Sequence, residues 1–349
     1  MVGYMNSKKI SIIVPVYNMA SDGKLEYCLN SLVSQTISDY EIIAVDDCST
    51  DNSMEILRDF QSRYPEKFIA IHSNVNLRQG GAKNIGIRRA AGEWIGFIDS
   101  DDWITADMYE KLLKKAEDTG ADLVGCDYSM VAEHTMEVGK IVYNNHSTQT
   151  GILDHEKYKS LIKTPGSMVI KIYKRQMVVE NELWFPERIF YEDNCMGIIW
   201  PLFSKHFERV EEPLYYYYQH EASTVHGLSA DRCMDRMVSM EKLITDCKKY
   251  GFFDEYKDAL EYRFTEIYFV NTLYSYLIGV RPRKVEFLKQ LTEGIRNHFP
   301  EFEKNAEYQK NIHPEQKKQI GYLMKSERLF LVYYILLSGY RNFRKKLRG

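Results

Sequence analysis

The stretch "GEWIGFIDSDDW", residues 92–103, puts three carboxylates directly behind an apolar run. Residues 94–98 have the length and composition of a buried strand, and Asp99, Asp101 and Asp102 follow at once. Carboxylates this close repel one another and raise one another's pKa unless a cation or hydrogen-bond donors compensate. A single aspartate here would be read as the cap of the next helix, but three of them favour a site that binds a cation.

Similar apolar runs alternate with helical patterns over the first part of the chain. Strand-like runs begin at Lys9, Tyr40, Phe68 and Trp94. Helical patterns lie between and around them, at residues 24–35, 54–64 and 83–91. Continuous apolar strands that alternate with helices predict an α/β fold with a mostly parallel sheet covered on both faces. In such a sheet, ligands bind beyond the carboxyl ends of the strands.

The pattern becomes helical after about residue 231 and stays so to the end. We therefore expect two parts, an α/β domain at residues 1–225 and a helical extension at residues 226–349. No low-complexity linker in the sequence separates them.

Composition and charge exclude some classes of protein. A formal net charge of -3 over 349 residues offers no basic surface for nucleic acid. The six cysteines are scattered without a C-x-x-C pair, which favours a reducing cytosol over a disulfide framework or a zinc site. The short apolar run after Lys9 leads straight into Pro15 and is not typical of a signal sequence. We therefore expect a cytoplasmic protein.

The residues behind the predicted strands are the candidates for a site. Acids follow the second strand at Asp46 and Asp47, and the fourth strand carries the three aspartates of the opening stretch. Neighbouring parallel strands bring these acids to one edge of the sheet. A hard divalent cation is the natural partner, because it takes oxygen ligands, keeps several waters and binds substrate phosphates.

Four stretches, taken as an ordered set, carry a family resemblance: "SIIVPVYN", "EIIAVDDCSTDNS", "GGAKNIGIRRAAGEWIGFIDSDDW" and "YEDN". They resemble the family 2 glycosyltransferases with the GT-A fold, typified by bacterial enzymes that build capsule, exopolysaccharide and lipopolysaccharide. The resemblance covers about residues 9–221. It implies an inverting hexosyltransferase that uses Mn²⁺ or Mg²⁺. Such an enzyme moves a sugar from a nucleotide diphosphate, with UDP favoured, to a hydroxyl of a glycan or lipid-linked acceptor.

The resemblance also implies roles for individual residues. Asp47 would hydrogen-bond the uracil. Asp99 and Asp101, with Asp102 beside them, would hold the ribose and the metal ion on the diphosphate. The candidate nucleotide-binding residues are Pro15, Val16, Tyr17, Asn18, Asp46, Asp47, Arg78, Lys83 and Asp99.

One position departs from the family. Where the family usually has Ala-Arg-Asn, this chain has Ala-Lys-Asn, so Lys83 puts a point charge in place of a planar, bidentate donor. Lys83 either meets a phosphate or is a solvated helix residue. Arg78 nearby could take over the phosphate contact.

The stretch "RIFYEDNCMG" supplies the acid pair Glu192 and Asp193, where the family places its base. We assign the base to Asp193 and a supporting role to Glu192. The alternative is an aspartate that caps a helix at residues 194–203. A single base and direct attack imply inversion at the anomeric carbon.

Weaker predictions concern the acceptor side and two histidines. Lys171 and the pair Phe185 and Pro186 match a family segment that shapes the acceptor side. Trp184 either stacks on a sugar or belongs to the core. Either His220 or His226 could add a late ligand to the metal or contact the diphosphate, with His226 the candidate ligand, or both histidines are structural.

The C-terminal stretch has nine apolar residues, 329–337, beginning at Leu329. A bilayer-spanning helix needs about 20 apolar residues, so this run is too short. We expect residues 329–348 to lie on the inner face of the cell membrane, with cations on anionic lipid. A helix packed on the α/β domain and a helix that forms a homodimer are the alternatives. The cations of this tail are Arg341, Arg344, Lys345, Lys346 and Arg348.

Three other functions fit part of the sequence. A sugar nucleotidyltransferase would need a Gly-rich phosphate loop after the first strand, where this chain has "PVYNMASDGKLEYC". A glycoside hydrolase also uses two carboxylates, but it does not explain a cluster of acids at the edge of a parallel sheet. A catalytically inactive nucleotide-binding or scaffold protein would not need both the metal and the base positions filled.

Overall fold

The sheet dominates the structure, a computed structural model that describes residues 8–219 and 227–346, with side chains as far as Arg341. The described residues form one sheet of ten strands. The strands are β1 (Ile10–Val16), β2 (Tyr40–Asp46), β3 (Phe68–His72), β4 (Trp94–Phe97), β5 (Trp103–Ile104), β6 (Leu123–Val131), β7 (Lys140–Val142), β8 (Gly151–Ile152), β9 (Lys171–Lys174) and β10 (His206–Tyr218).

The strand order is β3-β2-β1-β4-β9-β6-β10-β5. Strands β3, β2, β1 and β4 are parallel, and β6 is parallel to β10. Strand β9 lies antiparallel between β4 and β6, while the short strands β5, β7 and β8 pair antiparallel at the margins. The prediction of a mostly parallel α/β sheet is confirmed.

Seven α-helices connect the described strands: α1 (Lys24–Val33), α2 (Ser53–Arg63), α3 (Arg78–Arg89), α4 (Met108–Thr119), α5 (His155–Lys163), α6 (Arg175–Glu180) and α7 (Asp193–Leu202). Helix α3 begins five residues before the helical pattern that the sequence shows. Its first turns contain Gly80 and Gly81, which are poor helix formers and hide the pattern. A Cβ at Gly80 would lie 2.2 Å from the carbonyl oxygen of Pro186, so the glycine permits a close approach between α3 and that segment.

Alternating side chains of the central strands pack into two separate cores, one on each face of the sheet. Ile13, Val45 and Phe97 pack on one face with α3 and α7. Ile12 and Ala44 pack on the other face, with α1, α2 and α4. This alternation is what a strand produces when both of its faces are covered.

The C-terminal part is helical, as predicted. Its helices are α8 (Ala230–Lys249), α9 (Lys257–Phe264), α10 (Thr272–Gly279), α11 (Val285–His298), α12 (Ala306–Asn311), α13 (Pro314–Leu323) and α14 (Glu327–Lys346), with a π-helical segment (Thr265–Asn271) between α9 and α10. The core of the α3 and α7 face continues through Trp200 to Leu243 and Leu288. The predicted boundary between residues 225 and 226 falls within residues 220–226, outside the described residues, and stays a prediction.

Helix α14 is buried on one side only. Phe330 and Leu331 face α11 and α13. On the opposite side, Leu329, Val332, Leu336 and Tyr340 are exposed, at a spacing that places them on one face of the helix. Within residues 8–219 and 227–346, no helix is both long enough and apolar enough to cross a bilayer.

Candidate active site

The strand order brings the acids of the sequence to one place. Strands β2, β1 and β4 are neighbours and parallel, so the residues behind them meet at one edge of the sheet. We call the five acids there the carboxylate edge: Asp46, Asp47, Asp99, Asp101 and Asp102. The structure brings these acids together at one edge, as predicted. Their roles in ligand binding stay predictions.

The acids behind β2 leave two oxygens unsatisfied. Asp46 is fully buried, and its Oδ2 lies 2.7 Å from Nδ1 of His72. Asp47 Oδ1 accepts a hydrogen bond from the backbone N–H of Leu77 at 2.7 Å. Among the described residues, Asp46 Oδ1 and Asp47 Oδ2 have no partner although both are buried. Burial raises the pKa of Asp47 to about 6. A buried acceptor without a donor is costly, so these oxygens are suited to receive ligand donors.

The acids behind β4 divide into two kinds. Asp99 Oδ1 is buried, and no described residue donates to it. Burial raises the pKa of Asp99 to about 7, with Lys83 opposing the shift and Asp101 adding to it. Asp102 instead accepts hydrogen bonds at both oxygens, from the hydroxyl of Tyr215 at 2.5 Å and the backbone N–H of Tyr218 at 2.8 Å. Asp102 therefore fastens the loop behind β4 to β10.

The three aspartates are not arranged as one set of metal ligands. No group of three His, Cys, Asp or Glu side chains in the described ranges is placed to hold an ion. Asp99, with its unpaired oxygen, and Asp101 beside it still fit a hard cation that takes its other ligands from water and a diphosphate. The assignment of Asp102 as a ligand stays a prediction, while His220 and His226 lie outside the described residues.

The loop behind β1 is fixed to the loop behind β2. Pro15 and Val16 are buried at the end of β1, whereas Tyr17 is exposed. The side-chain oxygen of Asn18 accepts a hydrogen bond from the backbone N–H of Thr50 at 2.8 Å. Tyr17 thus presents an exposed ring beside the carboxylate edge, where an aromatic base could stack.

Lys83 is not a solvated helix residue. Its Nζ lies 2.7 Å from Oε1 of Glu192, and the two side chains are only 4% and 5% exposed. Burial disfavours its charge, but attraction to Glu192, Asp99 and Asp193 outweighs burial and raises the pKa of Lys83. Lys83 therefore joins the carboxylate edge to the acid pair. A direct contact with phosphate, the predicted role, is untested.

Arg78 begins α3 with a positive φ of 60°. Its guanidinium lies 3.8 Å from the centroid of the Phe190 ring. It therefore stands between the carboxylate edge and residues 190–193, which we call the acid loop.

Asp193 is the first residue of α7, so the predicted helix begins one residue earlier than expected and Glu192 is its N-cap residue. Asp193 is exposed, but it lies among crowded protein atoms. Loss of hydration there, and then repulsion from Glu192, raises its pKa, while Lys83 opposes the rise. A carboxylate whose pKa is raised, yet which solvent reaches, has the properties of a general base.

Phe185 and Trp184, which the sequence places on the acceptor side or in the core, both pack against the core. Phe185 is buried, with its ring 5.6 Å from that of Phe97. The side chain of Asn84 bonds both the N–H and the carbonyl of Phe185 at 3.0 Å. Trp184 packs against the core, which favours the core reading, and the Arg88 guanidinium lies 4.7 Å from its ring.

Lys171 is 1% exposed and donates to the carbonyl of Pro165 at 2.5 Å. Burial lowers its pKa to about 7.

A cavity of about 130 Å³ lies on the other side of Asp99 and Asp102, over β6 and β10. The sequence analysis singled out Asp99 and Asp102 but not the other side chains that line the cavity, because those come from distant segments. Two of its tyrosine rings meet edge to face at 6.2 Å. The remaining lining residues are Tyr128, Ser167, Val169, Ile170, Tyr215 and Tyr217.

Comparison with known proteins identifies the family. The sequence profile of glycosyl transferase family 2 matches residues 11–173. EpsH of Bacillus subtilis (strain 168), named as a glycosyltransferase, is 31% identical over 299 residues, which are 84% of this chain and 83% of EpsH. The chain belongs to glycosyl transferase family 2, and it is a glycosyltransferase.

A second relative and a solved structure extend the comparison. The poly(ribitol-phosphate) beta-glucosyltransferase of Bacillus spizizenii is 34% identical over 184 residues, 52% of this chain and 27% of that protein. The crystal structure of S. aureus TarS 1-349 in complex with UDP-GlcNAc aligns with a TM-score of 0.64 at 20% identity, over 82% of this chain and 81% of that chain. The predicted GT-A fold is confirmed.

Proposed function

We propose that the protein is an inverting, metal-dependent glycosyltransferase of cell-surface polysaccharide synthesis. It moves a sugar from a UDP-sugar to a hydroxyl of a glycan or lipid-linked acceptor. The observation that carries the proposal is the set of buried, unpaired carboxylate oxygens on Asp47 and Asp99, joined through Lys83 to the acid pair. The UDP-GlcNAc of the TarS complex and the polymer named for the B. spizizenii relative support the donor and acceptor classes.

Each part of the site then has a task. Asp47 accepts a hydrogen bond from the base of the donor, and Asp99 and Asp101 would hold Mn²⁺ or Mg²⁺. When bound there, such an ion would supply Lewis-acid neutralisation of the charge on the diphosphate. Asp193 takes the proton of the acceptor hydroxyl, whose oxygen bonds to the anomeric carbon from the face opposite the diphosphate as the bond to the diphosphate breaks. Glu192, held by Lys83, supports Asp193.

A thermal-shift titration tests the donor site. Purified protein is heated with UDP, dTDP, GDP, CDP or ADP, with and without Mn²⁺, beside Asp101→Ala. A ligand at 100 times its Kd stabilises the folded state by about 2.7 kcal/mol, so we expect UDP with Mn²⁺ to raise the melting temperature, but not in the variant. If no nucleotide raises it, the inactive scaffold becomes the better interpretation.

We propose further that α14 attaches the enzyme to the cytoplasmic face of an anionic membrane. Its outer face leaves Leu329 and Leu336 74% and 69% exposed, and no acid follows Glu327 in the chain. An apolar stripe beside a basic end is what an interfacial helix presents to anionic lipid. Arg341 marks the start of the basic end.

Vesicle co-sedimentation tests this attachment. The protein should sediment with vesicles of mixed phosphatidylcholine and phosphatidylglycerol, less in high salt, and only weakly with phosphatidylcholine alone. Leu329→Gln with Leu336→Gln should abolish sedimentation, whereas Ile278→Gln, at a residue 63% exposed on α10, should not. Absence of sedimentation, together with a dimer in solution that the double variant disrupts, would assign the stripe to a homodimer instead.

A further inference from the structure

Helix α8, in the helical extension, contacts the two residues that directly precede the acid pair. The backbone N–H of Phe190 donates to Oδ2 of Asp235 at 3.1 Å. The hydroxyl of Ser239 donates to the carbonyl oxygen of Tyr191 at 2.7 Å. Because both bonds end on main-chain atoms of the acid loop, they fix the path of its backbone.

The acid loop needs such support because its backbone is strained. Tyr191 has a φ of +64°, in the left-handed region that side chains other than glycine rarely adopt. A strained residue of this kind persists only where its surroundings hold it in place. The guanidinium of Arg236 adds a contact, 4.5 Å from the centroid of the Tyr191 ring.

Asp193 depends on this support more than Glu192 does. Glu192 has its own buried partner in Lys83. Among the described side chains, none is hydrogen-bonded to the carboxylate of Asp193, so its position follows from where α7 begins. The start of α7 is set by the turn at Tyr191, and α8 is hydrogen-bonded to the main chain of that turn.

We propose that Asp235 and Ser239 are positioning residues that aim Asp193 at the acceptor hydroxyl. The inference rests on the proposed function, since it requires Asp193 to be the base. The helical extension is then part of the catalytic apparatus, although neither residue touches the substrate.

The test compares Asp235→Ala, Ser239→Ala and the conservative Asp235→Asn, which keeps an oxygen acceptor for the N–H of Phe190. Asp231→Ala is the matched control, an exposed aspartate one turn earlier on the same helix. The readouts are UDP release from a UDP-sugar with water as acceptor, the UDP thermal shift with Mn²⁺, and amide exchange of residues 188–194.

We expect both alanine variants to lose at least tenfold in turnover, with faster exchange in residues 188–194 and a UDP shift within twofold of the wild type. Asp235→Asn should recover most of the turnover, and Asp231→Ala should match the wild type. Turnover within twofold of the wild type in both alanine variants, or unchanged exchange, overturns the positioning role. Full turnover in Asp193→Asn, run beside them, shows instead that the base assignment is wrong, and the positioning role falls with it.

Discussion

The carboxylate edge and the acid loop lie on either side of Lys83. They differ in whether their polar groups have hydrogen-bond partners within the protein. The edge leaves oxygens of Asp46, Asp47 and Asp99 buried without a partner among the described residues. The loop has its main chain bonded to α8, and Glu192 is paired with Lys83. One region is completed by a ligand and the other by the protein itself. Changes in the edge should therefore affect binding more than stability, and changes around the loop should affect stability or turnover.

The largest effect is expected at Asp193. A general base contributes typically about 10²- to 10⁴-fold, so Asp193→Asn should lower transfer by that factor and leave the UDP thermal shift unchanged. Asp154→Asn, at the N-cap of α5 far from the acid loop in sequence, is the control. Loss of UDP binding in Asp193→Asn would instead place Asp193 in the donor site.

The pH profile of kcat/KM sharpens the same assignment. Burial and Glu192 raise the pKa of Asp193, and a base works only when it is ionised. Activity should therefore fall as the pH drops through that raised pKa, at a higher pH than an ordinary aspartate would give. An acid limb in the usual aspartate range would contradict the assignment.

Removal of Lys83 should destabilise the protein strongly. Lys83→Met leaves Glu192 charged and buried without its partner, a change that costs about 3–5 kcal/mol. Lys111→Met is the matched control, because it breaks partly exposed ion pairs with Asp107 and Glu212, each of which should contribute at most about 1 kcal/mol. Urea unfolding measures both. Equal losses of unfolding free energy in the two variants would show that the buried pair contributes no more to stability than the exposed pairs.

Asp99→Asn should stabilise the folded protein, in contrast to Lys83→Met. It removes a half-buried charge that repels Asp101, so the ligand-free protein should gain roughly 0.5–2 kcal/mol. The same variant should lose the Mn²⁺-dependent UDP shift. Asp118→Asn, in a surface pair on α4, should change neither. A destabilised Asp99→Asn that still binds UDP would show that the carboxylate edge is structural.

The last effect concerns Lys171 and depends on pH. In the folded protein its pKa is about 7, whereas in the unfolded chain it is near 10.4. The unfolded chain therefore binds the extra proton between these values, and stability should rise with pH there, by at most about 1.4 kcal/mol per pH unit. Urea unfolding at pH 7.5 and 9.5 should show this gain in the wild type relative to Lys171→Met, because the buried cysteines, whose pKa values burial raises, contribute an opposing change that both proteins share. Lys174→Met, at the half-exposed end of β9, should keep it, and equal gains in all three proteins would contradict the assignment.

The sequence was informative where local pattern and topology suffice. Asp47 and Asp99 each follow a continuous apolar strand, and neighbouring parallel strands must bring such residues together. Partners that are distant in the chain left no such signal. Nothing around Lys83 indicates that Glu192, 109 residues away, will bury it. The sequence likewise gives no sign of the hydrogen bond from Tyr215 to Asp102, because it joins residues 113 positions apart.

The helical extension shows the same limit in a different form. Its helices could be predicted from periodicity. The hydrogen bond between Asp235 and the acid loop could not, because it depends on how α8 packs against that loop. The start of α3 was predicted too late, since Gly80 serves a close approach to Pro186 rather than helix formation.

The core that passes from the sheet through Trp200 to Leu243 also constrains how this protein can be recombined with its relatives. A chimera joined between residues 225 and 226 would pair one parent's α7 with the other parent's α8, and mismatch both their packing and their bonds to the acid loop. An exchange of acceptor specificity between family members should therefore transfer α7 and α8 as one block. By the same reasoning, substitutions on these two helices should have arisen together during the divergence of the family.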